Sequence, residues 1–323
     1  MAVAGTRALE QLHAAGCDLL SPDPERARGA EAFEQLLNGC DAVLAAVEPY
    51  TARLLAAPAA ANLKIISRWG VGYDSVDLAA ATRAGIVVTN TPRLLDEAVA
   101  DYTFALLLAL ARRIPEGQQT VVAGRWTQSW GTDVADKTLG LIGCGRIGQA
   151  VARRAKGFNL RLLAHDPISA ASGGDPDIQF VSLERLLAEA DFVSLHAALS
   201  PESRGLIGEA QLRRMKPTAL FINAARGPLV DEAALARALR EGWIAGAALD
   251  VFCTEPLPPE HPLRGAPNLL LTPHQASFAR DTGARVSETA ARAIIDASRG
   301  IKPQFVVNQE VLAAANCRIQ FHV

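Results

Sequence analysis

The sequence predicts an α/β protein in which a doubly wound parallel sheet is inserted into a smaller α/β domain. Three observations predict it. Short apolar runs of β character alternate with Ala/Leu/Arg-rich helical runs from about residue 40 onward, the rhythm of a parallel sheet covered by helices on both faces. A glycine-rich turn, Gly143-Cys144-Gly145-Arg146-Ile147-Gly148, stands where one such strand gives way to a helix. The helical run after about residue 280 is too little to fold alone and must pack on something already formed.

Taken in order, the strands expected are residues 42–47, 64–67, 86–89, 138–142, 161–165, 192–195, 219–223, 246–250 and 269–272. The helices expected are residues 30–38, 76–83, 97–113, 146–157, 183–189, 208–215, 231–241 and 280–299. The strand near residue 140 begins an uninterrupted βα series that ends near residue 275, long enough for a complete dinucleotide-binding domain of the Rossmann type. The smaller βα set before residue 95 and the last helix then form one discontinuous domain. The expected division is 1–95 with 280–323 for the smaller domain and 96–279 for the larger. The helices 97–113 and 280–299 become the two crossings between domains. The first is apolar nearly all round, as a helix buried between domains would be.

Half of the 323 residues are hydrophobic and a fifth are charged, so a large core can form. The net charge of −2 and the absence of any basic run argue against nucleic acid as a partner. Five scattered cysteines (Cys17, Cys40, Cys144, Cys253 and Cys317) include no CxxC pair and read as small hydrophobes in a reducing cytosol. The six histidines show no clustered ligand spacing, so no metal site is expected. The N-terminus carries no basic-then-apolar leader. The strongly apolar stretch at residues 104–111 is far short of the roughly 20 residues that span a bilayer. The expectation is a soluble, cytoplasmic protein with no membrane partner.

The glycine-rich turn reads GxGxxG in the context that makes the pattern informative, after a strand and before a helix. Gly143 permits the tight turn, Gly145 lets a pyrophosphate approach the backbone, and Gly148 lets the helix lie close to the sheet. The free N–H groups and the positive helix end then face the phosphates. Asp166 ends the next strand, 18 residues past Gly148, where a carboxylate accepts hydrogen bonds from the hydroxyls of an adenosine ribose. The same charge repels a 2′-phosphate. Residues 167–178 hold no Arg or Lys to offset it and add Asp175 and Asp177. The cofactor expected is NAD rather than NADP.

Three polar residues stand just past the ends of late strands: Arg226, Glu255 and His274. Ligands of an open α/β sheet bind beyond the carboxyl ends of its strands, so all three should face the reactive end of the cofactor. Reduction of a 2-oxo acid needs a cation for the carboxylate and carbonyl, a proton donor effective near neutrality, and a group that orients the donor. A planar guanidinium suits the first task, an imidazole the second and a carboxylate the third.

These features resemble the D-isomer-specific 2-hydroxyacid dehydrogenase family, in its phosphoglycerate dehydrogenase-like branch. The resemblance runs from about residue 40 to about residue 310. It is carried by Arg68-Trp69-Gly70-Val71-Gly72-Tyr73-Asp74-Ser75-Val76-Asp77, by Val88-Thr89-Asn90-Thr91-Pro92 and by Lys137-Thr138-Leu139-Gly140 ahead of the glycine turn. Asp191 through His196, Asn223-Ala224-Ala225-Arg226-Gly227, Ala248-Leu249-Asp250-Val251-Phe252 with Glu255-Pro256, and Thr272-Pro273-His274 continue it. It implies a Rossmann NAD domain inserted into a flavodoxin-like substrate domain, and Arg226, Glu255 and His274 as the catalytic set. It implies that amides around Val71 and Gly72 bind the substrate carboxylate, a task suited to a glycine-rich turn. Asp250 matches the residue that meets the nicotinamide carboxamide. Arg146, Ile147, Asp166, Ala197, Ala224 and Thr103 match cofactor contacts, the two alanines through backbone only. A homodimer whose domains close over the cofactor is also implied.

The chain departs from the family pattern in four places. Phosphoglycerate-using relatives tend to carry an Arg at the end of the strand 42–47, where this chain has Ala46 and Val47. Ala198 replaces a usual Pro, and Gln275 follows His274 where an apolar residue is commoner. The family's first strand has no good counterpart before residues 8–14, and residues 316–323 match nothing familiar. The activity expected is hydride transfer between NAD(H) and a 2-hydroxy/2-oxo acid. The alternatives are a glyoxylate/hydroxypyruvate reductase and a non-catalytic NAD-sensing corepressor-like module.

Overall fold

The computed structural model describes residues 5–20, 30–171 and 175–322. The chain forms two compact units, Met1–Leu95 with Phe278–Val323, and Asp96–Ser277.

The first unit begins with a helix, α1 (Thr6–Ala14), where the sequence showed only the lack of a strand. Ala8 and Leu12, one helical turn apart, point its buried stripe at the long C-terminal helix of the same unit. Next come α2 (Ala30–Leu36), β1 (Ala42–Ala45), α3 (Ala52–Leu55), β2 (Ile65–Arg68), α4 (Leu78–Arg83) and β3 (Val87–Thr89). The three strands form a parallel sheet in the order β1-β2-β3. Both faces of β2 are covered, since Ile66 joins a cluster with Tyr50, Leu63 and Val88 while Ile65 joins Val87, Ile294 and Ile295. Helix α4 starts two residues later than the pattern suggests because Asp77 is its N-cap, with Oδ1 accepting from the Ala80 N–H at 2.8 Å. The C-terminal residues, unreadable in sequence, strap this unit. Arg318 donates to the carbonyls of Ala60, Ala61 and Leu63. The strap lies so close to Gly85, at φ +72°, that a Cβ there would sit 1.9 Å from the Asn316 carbonyl oxygen.

The second unit opens with α5 (Asp96–Ala111), α6 (Ile114–Val122), β4 (Thr138–Ile142), α7 (Arg146–Lys156) and β5 (Arg161–His165). It continues through α8 (Pro167–Ala171), β6 (Ile178–Phe180), α9 (Leu183–Glu189), β7 (Phe192–Leu195), α10 (Glu209–Arg214) and β8 (Leu220–Asn223). It ends with α11 (Glu232–Glu241), β9 (Gly246–Leu249) and β10 (Leu269–Leu271). Seven parallel strands lie in the order β10-β9-β8-β7-β4-β5-β6, so the winding reverses between β4 and β7. That reversal is where a doubly wound sheet opens a crevice for ligands. One cluster around Leu163, Val193, Phe221 and Leu235 fills one face of the sheet, and another around Leu107, Leu141, Val151 and Ile222 fills the other.

Each long helix lies wholly within one unit. Helix α5 packs on α7 and on β8 to β10 of its own unit, which accounts for its apolar circumference. The last helix, α12 (Arg280–Ser298), packs on α1, β1 and β2 of the first unit. Four short or exposed helices, α1, α3, α6 and α8, and the three-residue edge strand β6 were not expected. Apart from α1, which is amphipathic, each offers too little periodic apolar pattern to read.

Candidate active site

The phosphate loop is held by what its glycines lack. Gly143 turns the chain at φ +90°, and a Cβ on it would lie 2.5 Å from the Ala197 nitrogen. A Cβ on Gly148 would lie 2.4 Å from the Gly143 carbonyl oxygen. The loop, the start of α7 and the exit of β7 therefore meet backbone to backbone. At Gly145 the opposite holds: nothing comes within 4 Å of the position a Cβ would take. The open space lies at the N-terminus of α7, where a pyrophosphate would meet N–H groups and no side chain. Arg146 and Ile147 flank it, the first exposed and paired through Nε with Asp96 at 3.3 Å. Ala197 and Ala224 lie on the loops after β7 and β8, both partly open to solvent. The residues present thus fit a dinucleotide.

Asp166 caps α8 and reaches back to the phosphate loop. Its Oδ2 accepts from the Cys144 N–H at 2.7 Å and the Ser169 hydroxyl at 3.0 Å, and its Oδ1 from the Ile168 and Ser169 N–H groups, both at 2.9 Å. Burial pushes this carboxyl up, but the four hydrogen bonds outweigh it and hold it below the ordinary aspartate value. Asp175 and Asp177 do not act as the free charges the sequence suggested. Both pair with Lys156 of α7, at 2.9 and 2.7 Å.

Two of the expected cofactor contacts are buried. Thr103 is fully buried in α5 and its hydroxyl donates to the Val99 carbonyl at 2.8 Å, the environment of a helix-core threonine. Asp250 has no exposed surface. Its carboxylate accepts from the Thr272 hydroxyl at 2.6 Å and from the N–H groups of Gln275 and Ala276 at 3.0 and 2.8 Å. Burial pushes its pKa up despite these bonds. Asp250 holds the loop that carries His274 rather than presenting a carboxylate outward.

His274 and Glu255 are brought together. His274 Nδ1 lies 2.7 Å from Glu255 Oε2, with the two side chains 31% and 25% exposed. Glu255 is fixed in turn by the Phe252 N–H, which donates to Oε1 at 2.9 Å. The histidine backbone is held at φ +49° by its N–H bond to the Asp250 carbonyl at 2.8 Å. With Nδ1 occupied by a carboxylate, Nε2 is the ring atom left for a substrate. Arg226 leaves the loop after β8, which Asn223 clamps from both sides through Ala225 N–H and the Arg226 carbonyl, each at 3.0 Å. Its neighbour Gly227 lies against the exit of β9: a Cβ would come 1.9 Å from the Phe252 carbonyl carbon. The backbone carrying Arg226 thus runs directly against the backbone leading to Glu255.

Sequence reading missed Glu232. This buried first-turn residue of α11 accepts from the Cys253 N–H at 2.7 Å and pairs with His261 Nε2 at 3.2 Å. Successive amides of the loop, Phe252 and Cys253, are therefore held by two carboxylates from different elements. Nothing local marks Glu232, because an acid in a first helical turn reads as a dipole complement. Gln275 also finds a partner, donating to the Tyr102 hydroxyl at 2.7 Å. His196, at the exit of β7, is half-buried with its ring 2.8 Å from the Ser194 hydroxyl, and burial brings its pKa down to about 4.

Val71 and Gly72 belong to the first unit. Their carbonyls are turned inward, to Asn90 Nδ2 at 2.8 Å and Arg68 Nε at 3.1 Å. Among the described residues their N–H groups meet no acceptor. Arg68, kept from the family pattern, is buried beneath this turn and also donates to the Ala45 carbonyl. No group of three or more His, Cys, Asp or Glu that could hold a metal occurs among the described residues.

The family model of the D-isomer specific 2-hydroxyacid dehydrogenase NAD-binding domain matches residues 104–276. The chain is 48% identical over 284 residues to a glyoxylate reductase of Korarchaeum cryptofilum, covering 85% of each chain. The TT0316 protein of Thermus thermophilus superposes with a TM-score of 0.82 at 40% identity, over 93% of this chain and 96% of that one. The NAD-dependent formate dehydrogenase of Staphylococcus aureus, solved in complex with NAD, gives a TM-score of 0.77 at 32% identity, over 84% and 82%.

Proposed function

The chain belongs to the D-isomer specific 2-hydroxyacid dehydrogenases, NAD-dependent oxidoreductases, and we propose that it reduces a small unphosphorylated 2-oxo acid, with glyoxylate or hydroxypyruvate as substrate. The observation that carries this reading is the His274–Glu255 pair at the carboxyl ends of β9 and β10, in the unit that holds the phosphate loop. Bound NADH supplies the hydride. His274 Nε2 donates the proton to the carbonyl oxygen, and Glu255 keeps the ring oriented. The Arg226 guanidinium holds the substrate carboxylate and polarises the carbonyl. Within the first unit, the N–H groups of Val71 and Gly72 are the donors we propose for an acid group.

The preference for an unphosphorylated acid has two supports. Ala46 and Val47 offer no cation, and Arg68 is committed to carbonyls beneath the turn. The similar chains named glyoxylate reductase point the same way. We read the assembly as a homodimer on a separate observation: α6 has no buried residue, and Trp126 and Trp130 beyond it are 85% and 98% exposed. Such an apolar surface suits a second copy of the chain. No helix among the described residues is long and apolar enough to cross a membrane, and the unpaired cysteines suit the cytoplasm.

The test is NADH oxidation by the purified chain against glyoxylate, hydroxypyruvate, phosphohydroxypyruvate and pyruvate. Turnover is expected with the first two at the highest kcat/KM. A preference for phosphohydroxypyruvate would overturn the substrate reading, and NADH binding without reduction of any oxo acid would favour a cofactor-sensing module.

A further inference from the structure

The carboxylate assigned to the ribose is already fully engaged by the protein. An aspartate offers about four lone-pair positions, and Asp166 has four donors within 3.0 Å. Three of them are backbone N–H groups fixed by the chain. Cys144 belongs to the phosphate loop, and Ile168 and Ser169 belong to the first turn of α8. Only the fourth, the Ser169 hydroxyl, can leave by rotation of a single bond. That hydroxyl also lies 3.2 Å from the Cys144 carbonyl oxygen, a second acceptor to which its one hydrogen can turn.

We propose that the Ser169 hydroxyl occupies the position on Asp166 that a ribose hydroxyl must take, so that cofactor binding exchanges one hydroxyl for another. The inference rests on the reading of Asp166 as the ribose-binding residue. Ser169 is then a specificity and affinity determinant, an internal competitor that weakens the hold on the adenosine half without touching the reacting end. The exchange replaces one bond to a charged acceptor by a similar one, and so contributes little net affinity. Removing the competitor leaves a lone-pair position open to the ribose. Ser169→Ala deletes one oxygen from a partly exposed side chain and leaves the three N–H bonds in place.

The test is fluorescence titration of the full-length protein and its Ser169→Ala variant with NADH, and with an NADH analogue whose adenosine ribose lacks both hydroxyls. The variant should bind NADH about fivefold more tightly, the size of one recovered hydrogen bond, and show no such gain with the analogue. An unchanged or weakened NADH affinity in the variant would overturn the inference, as would an equal gain with the analogue. If the wild-type chain binds NADH but the variant does not tighten, only the role of Ser169 falls. If the wild-type chain binds no NADH, the reading of Asp166 falls with it.

Discussion

Two regions at the carboxyl end of the larger sheet are built by opposite means. The phosphate loop is shaped by missing side chains: Gly143 and Gly148 let three backbone segments meet, and Gly145 leaves space for a ligand. The loops bearing Glu255 and His274 are shaped by acids, two of them buried. Glu232, Asp250 and Glu255 each accept backbone N–H groups and so fix the chain beside the reacting groups. A pyrophosphate brings its own charge and needs only unobstructed donors. A proton donor must be aimed, and aiming a mobile loop requires acceptors held in a poorly solvated place, where an unmade hydrogen bond is expensive.

The comparison can be broken most directly at His274. His274→Ala should lower kcat by about 10²- to 10⁴-fold, the usual contribution of a positioned acid, with the NADH dissociation constant nearly unchanged. A steady-state assay beside a fluorescence titration separates the two. Near-normal turnover would remove the histidine from the mechanism.

The glycine loop gives a paired test. Gly148→Ala forces a Cβ to 2.4 Å from a carbonyl oxygen and should cost about 1–3 kcal/mol of folding stability. Gly145→Ala has open space and should change stability by less than about 0.5 kcal/mol while still weakening NADH. Equal denaturation midpoints for the two variants would show that the close approach at Gly148 carries no weight.

His196 adds a pH dependence to the same region. Its folded pKa, about 4, lies below the ordinary histidine value, so the unfolded chain binds the extra proton between the two. Stability should be flat above roughly pH 6.5 and fall as pH drops toward 4, by on the order of 3 kcal/mol at most. In His196→Gln this slope should flatten, as urea denaturation at stepped pH would reveal.

A smaller effect is expected from Glu232→Gln, which keeps an acceptor for the Cys253 N–H but removes the charge beside His261. It should cost about 1–2 kcal/mol and lower kcat more than it raises KM, because the loop below Glu255 loosens. A change in KM alone would separate Glu232 from the aiming of the histidine.

Much of this arrangement was legible in the residues. The strand–glycine–helix pattern, Asp166 at the next strand end, and the three polar residues past late strands are local signals. They depend on chain order and on the period of apolar residues, both of which are written in the sequence. The unread elements are those without a period. β6 has three residues with an exposed Gln179 at its centre, and α6 buries nothing. The pairing of Asp175 and Asp177 was not legible because their partner, Lys156, lies on α7, far from them in the chain.

The sequence by itself determined the fold class and the place of the glycine-rich turn, because each is set by short-range pattern and by side-chain chemistry. Only the tertiary structure decided that Asp250 is turned inward to hold a loop, that Glu232 is a strut and that the Asp166 carboxylate is already saturated. A carboxylate's role depends on which donors surround it and how little water reaches it. Those donors come from segments that are distant in the chain and adjacent only after folding.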